Sequence, residues 1–108
     1  MKTTLAFSHM EDNSIVRDYF DEKCEKLTRY TKRFKDDLVH LHGTLDKNPH
    51  KEEFYASLTL YLPATTLHCR EAGGDFEAAM HSAFLWLVRQ VEKYTDKLFK
   101  EKRRRAKR

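Results

Sequence analysis

A chain of 108 residues with 40% apolar content holds one domain with a single core, not two. No run approaches the roughly 20 apolar residues that span a bilayer, and the opening KTTLAFS lacks the apolar stretch of a signal peptide, so a cytoplasmic protein with no membrane partner is expected. The net charge of +4 is uneven, because residues 89–108 carry ten of the 21 Lys and Arg but only three of the 17 acids.

Such a local positive field attracts polyanions through counterion release, with nucleic acid the commonest partner and anionic membrane second. For Arg103 to Arg108 alone, a solvated frayed tail is the competing reading, and 101–108 is expected to be a disordered basic tail following a domain over 1–100.

In chain order, Leu5 and Phe7 alternate with Thr4, Ala6 and Ser8, as in a half-buried strand. Asp12, Asn13 or Ser14 then caps a helix whose apolar positions are Val16, Tyr19, Phe20, Cys24, Leu27 and Tyr30. Its acids (Asp18, Asp21, Glu22, Glu25) precede its bases (Lys26, Arg29, Lys32, Arg33), which suits the helix dipole and allows Glu22–Lys26 and Glu25–Arg29 pairs. Lys26, Arg29 and Arg33 share one flank of the wheel. Lys23 points nearer the apolar stripe, so its ammonium must snorkel out.

From Asp37 the period is two, with Val39, Leu41 and Leu45 on one side and His40, His42 and Thr44 on the other. The segment Asp46-Lys47-Asn48-Pro49-His50 breaks the strand. Glu53 to Leu62 alternates again, Phe54, Ala56, Leu58, Leu60 and Leu62 opposing Tyr55, Ser57, Thr59 and Tyr61, which makes a hairpin with the preceding strand. After a turn at Pro63-Ala64, Thr66 to Arg70 puts Leu67 and Cys69 inward and His68 and Arg70 outward. Gly73-Gly74 ends that strand and Asp75 caps a long helix with a core stripe of Phe76, Met80, Ala83, Phe84, Leu87, Val91, Tyr94 and Leu98. At about 100° per residue, Arg89, Lys93, Lys97, Lys100 and Arg104 form a second stripe along one flank of that helix. The predicted fold is α+β, in the order β-α-β-β-β-α, with both helices packed on one face of a four-stranded sheet.

No catalytic constellation stands out. The serines sit in no strand-to-helix elbow, and Gly73-Gly74 lacks the Lys-Ser/Thr of a phosphate loop, so an enzyme is not expected. Cys24 and Cys69 fit no metal or redox spacing and read as small core hydrophobes. His40 and His42 share the outer sheet face, and strand register, which the sequence does not fix, decides whether His68 joins them as a third imidazole for a transition metal; exposed strand histidines far outnumber metal ligands. Tyr55 and Tyr61 on that face read as ordinary strand tyrosines ahead of base-stacking platforms. Trp86 lies off the core stripe and is expected to pack against the first helix, ahead of stacking on a nucleotide or meeting a protein.

Met10-Glu11 followed by Ile15-Val16-Arg17, with Lys23, Lys26-Leu27 and Tyr30, resembles the lead-in and first helix of the ribosome hibernation-promoting factor family, also called ribosome-associated inhibitor A or the sigma-54 modulation family. Asp75-Phe76 with Ala78-Ala79 is similar to its Asp-Met-Tyr-Ala-Ala helix start, and Leu87, Arg89-Gln90, Lys93 and Asp96-Lys97-Leu98 follow its Leu-x-Arg-Gln pattern in register. The likeness runs to about Lys100. It departs at Trp86, where the family usually has Lys, at His81, where it has Asp, and in the basic tail.

The resemblance, to the short form that lacks the long members' dimerisation domain, implies a stress or stationary-phase hibernation factor. It implies a monomer off the ribosome that binds the small ribosomal subunit and its 16S rRNA in the decoding channel, over the tRNA and mRNA sites, inhibiting translation and protecting idle ribosomes. Lys23, Lys26, Arg29, Arg33, Arg89, Lys93, Lys97 and Lys100 are the candidate rRNA-binding residues, and no cofactor, metal or small-molecule substrate is implied. The competing reading is a general module for structured RNA, recognising duplexes by shape.

Overall fold

The computed structural model describes residues 1–106, with side chains through residue 100. Strand β1 (Lys2–Ser8) is followed by helix α1 (Ser14–Thr28), a short 3-10 turn (Asp36–Leu38), strands β2 (His40–Lys47), β3 (Phe54–Leu62) and β4 (Thr65–Gly73), and helix α2 (Phe76–Ala106). This is the expected β-α-β-β-β-α order of an α+β fold. The sheet runs β1-β2-β3-β4, with β1 and β2 parallel across the α1 crossover and the other pairs antiparallel. The tail expected over 101–108 falls on residues whose side chains lie outside the described set.

Local chemistry sets the boundaries. Of the three candidate caps Asn13 takes the role, its extended backbone letting the side chain accept from Ile15 N at 2.8 Å. Asp75 Oδ1 accepts from Ala78 N at 2.7 Å and starts α2 the same way. The β3–β4 hairpin closes on two residues, Pro63 and Ala64, because proline presets the first turn position and Ala64 adopts a φ of +67° at the second. Two expectations need correction, the start of β2 and the place of Tyr30. The strand read from Asp37 begins only at His40, since Asp36–Leu38 forms the 3-10 turn, with the Met1 ammonium paired to Asp36. Strand β4 ends at Gly73 as the Gly73-Gly74 pair led one to expect, β3 offering partners down to the Phe54–Gly73 pair. Tyr30 is not a core position, since α1 ends at Thr28 and leaves Tyr30 40% exposed.

The register puts Leu5, Leu41, Leu58, Leu60, Leu67 and Cys69 on one sheet face, and both helices cover that face. Phe20, Cys24 and Leu27 of α1 and Met80, Phe84, Leu87 and Val91 of α2 complete a core that is almost wholly removed from water. Gly43 in mid-β2 exists for α1, because a Cβ there would come within 2.8 Å of the Phe20 ring. Both thiols are buried as expected; Cys69 Sγ donates to the Ala83 carbonyl at 3.4 Å, fastening β4 under α2. Trp86 is half-buried against the core.

Candidate nucleic-acid interface

Two helices side by side on a sheet touch along a seam and leave a furrow above it wherever the facing side chains are short of filling it. Here α1 contributes Lys23, Lys26 and Leu27 to one wall, with Tyr30 just beyond its C-terminal cap. Helix α2 contributes His81, Phe84, Leu85 and Val88 to the other. Together they enclose a cleft of about 190 Å³. Toward the N-terminal end of α2 the seam is held by Tyr19 packed edge-on to Phe76, ring centroids 5.8 Å apart. Tyr19 also donates to the Glu77 carbonyl at 3.4 Å. Past the end of α1, Phe34 stacks on Tyr94 at 6.1 Å and the Arg33 guanidinium lies 4.5 Å over the Phe99 ring. These aromatic contacts hold the two helices in fixed relation, so the cleft is built into the fold.

The eight sequence-predicted cations divide into separate groups. Lys23 is half-buried at the seam, its ammonium 3.3 Å from His81 Nδ1 and 5.4 Å over the Tyr19 ring. Lys26 is exposed on the cleft wall, 3.9 Å from Glu22 in the expected one-turn pair. Arg29 caps α1 and Arg33 leaves toward α2, both exposed. Arg89, Lys93, Lys97 and Lys100 are all exposed on α2, and none lines the cleft. The structure therefore brings Lys23 and Lys26 together with each other, and keeps the α2 stripe apart from them. Tyr30, His81 and Leu85 were not among the sequence candidates. The pairing of Tyr30 with α2 depends on how the helices dock, and no single-helix pattern carries that information.

The opposite face of the sheet carries no helix. His42 Nδ1 lies 2.7 Å from Thr4 Oγ1 and His68 Nδ1 lies 2.8 Å from Thr59 Oγ1. His40 stacks on Tyr61 at 5.7 Å, and the Arg70 guanidinium lies 4.6 Å over the Tyr55 ring. Thus the outer-face histidines each have a hydroxyl or ring neighbour, and among the described residues no group of three or more His, Cys, Asp or Glu is arranged to hold a metal ion. No described helix is long and apolar enough to cross a membrane.

The family model described as "Sigma 54 modulation protein / S30EA ribosomal protein" matches residues 4–99, which takes in the sheet from the third residue of β1 onward, α1, and α2 as far as Phe99. The chain belongs to this family. Among solved structures, the N-terminal domain of Thermus thermophilus Protein Y is similar over 87% of this chain and 99% of its own, with 24% identity and a TM-score of 0.74. A ribosomal subunit interface protein from Coxiella burnetii is similar over 88% of this chain and 98% of its own, with 16% identity and a TM-score of 0.70. At those identities the likeness is one of fold. Members of the sigma 54 modulation/S30EA family are ribosome-associated factors.

Proposed function

We propose that the chain binds the small ribosomal subunit through its 16S rRNA, in the decoding channel where tRNA and mRNA would sit, and so inhibits translation and shields idle ribosomes. The observation that carries the reading is the exposed stripe Arg89, Lys93, Lys97 and Lys100 on a helix docked rigidly by Leu87 and Val91, in a chain whose family match spans residues 4–99. The subunit-interface description of the Coxiella protein of the same fold supports it. Blocking a channel needs no bond to be made or broken. A rigid body that fills the space, held by ammonium and guanidinium groups against phosphates, is sufficient.

The open sheet face, with Tyr61 46% exposed beside His40, favours a second reading as a general RNA-binding module. Sedimentation separates the two. The protein is expected to travel with small subunits at physiological salt and to leave free duplex RNA unbound, with log affinity falling linearly as log salt rises. Binding duplex RNA as tightly as subunits would give the second reading the lead.

A further inference from the structure

We propose that the cleft between α1 and α2 receives one unpaired RNA nucleotide, its base against Tyr30, Leu85 and Val88 over a floor of Leu27 and Phe84, and its phosphate on Lys23 and Lys26. The inference rests on the ribosomal reading for the source of the RNA and adds to it a site that reads a base and not only a backbone.

Exposure is the first reason. Five large apolar residues are well exposed among the described residues, and two of them, Tyr30 at 40% and Leu85 at 43%, stand on the rim of this one cleft. Apolar groups gathered at one place rather than scattered mark a surface that something covers. Size is the second. At about 190 Å³ the cleft falls below the roughly 300–1,000 Å³ of sites that take extended small molecules, and suits a single ring system.

Charge decides between a base and a protein side chain. A leucine or phenylalanine from a protein would satisfy the floor but has no use for two ammonium groups on the same wall, whereas a nucleotide carries its phosphate one sugar away from its ring. Among the described residues Lys26 is paired with Glu22 at 3.9 Å, with both side chains well exposed, and such a pair is easily exchanged for a phosphate. Lys23 donates to His81 Nδ1, which fixes the His81 proton on its other ring nitrogen and leaves that nitrogen a donor for a base or sugar oxygen. Tyr30 contributes the ring on which a base stacks whatever its identity.

The test is a titration of the isotope-labelled full chain with adenosine 5′-monophosphate, followed by NMR, alongside adenosine and ribose 5-phosphate. Saturable shifts at Tyr30, His81, Leu85 and Val88 are expected, with removal of either base or phosphate weakening binding about tenfold. Leu85→Glu should abolish the shifts while the melting transition is kept. Lys26→Ala, at an exposed position, should weaken the nucleotide but not adenosine, which keeps the test decisive should Leu85→Glu fold poorly. Equal binding of the monophosphate and ribose 5-phosphate, or no shift in the cleft, would overturn the proposal. Tighter binding of N-acetyl-leucinamide would overturn it in favour of a protein side chain. Co-sedimentation of the wild type with small subunits is read separately, so cleft binding by a protein that stays off ribosomes would support this site and sink the ribosomal reading alone.

Discussion

Helix α2 has two flanks of different origin. The flank carrying Arg89, Lys93, Lys97 and Lys100 is a property of one helix: its geometry follows from 3.6 residues per turn, and it would exist in any fold that left that side in water. The flank carrying His81, Leu85 and Val88 becomes the wall of a cleft because α1 docks beside it and supplies Lys23 and Lys26, with Tyr30 beyond its end. The stripe should therefore tolerate loosening of the α1–α2 packing, while the cleft should not.

The largest expected effect on stability comes from the cleft floor. Phe84 is 4% exposed and packs against Phe20 at 5.8 Å, so Phe84→Ala should cost about 3–5 kcal/mol in denaturant unfolding. A loss under about 0.5 kcal/mol, the range of surface substitutions, would mean α1 and α2 are not joined as described. Next comes Gly43→Ala, which drives a methyl group into the Phe20 ring and should cost about 1–3 kcal/mol by overpacking. Here the two thiols serve as local probes, since Cys24 is on the buried face of α1 and Cys69 lies on β4 under α2. Gly43→Ala should speed labelling of Cys24 and leave Cys69 slow; equal acceleration at both would show that the helices open as one unit.

A smaller effect is expected from alkali. Burial pushes the Cys24 thiol up to about 12 and the Cys69 thiol up to about 11, against an ordinary 9.0. The folded state thus holds these protons more tightly than the unfolded chain, a contribution fully present below pH 9 and lost as pH rises through the folded values. Wild type should lose its advantage over a Cys24→Ala/Cys69→Ala variant between pH 9 and 11. An advantage that grows over that range would show that the thiolates are accommodated in the core.

The same contrast explains what could be read from the sequence. Alternation of Leu41 with His40 and His42, and the three- and four-residue recurrence of Phe84, Leu87 and Val91, were enough for element order, the buried face and both cysteines, because each is a local periodicity answered by one core. The cation stripe was legible for the same reason. The end of α1 was not, since Tyr30 continues the apolar period that the chain leaves at Thr28, and the ring serves the cleft rim instead of the core. The 3-10 turn at Asp36–Leu38 escaped because its stabilising partner, the Met1 ammonium, is remote in sequence.

The most direct test of the account is the Lys93→Glu/Lys97→Glu double variant, measured for co-sedimentation with small ribosomal subunits beside the wild type. Both positions are exposed on α2 away from the core, so stability should change by no more than about 0.5 kcal/mol for each substitution. Phosphate contacts contribute much of the affinity of such interfaces, and two lost cations should also flatten the salt dependence by a slope of about two. The account predicts a soluble protein with a native-like melting transition that stays off the subunits and leaves in vitro translation running. A folded double variant that still co-sediments and inhibits like the wild type would remove the α2 stripe from the interface and contradict the central claim.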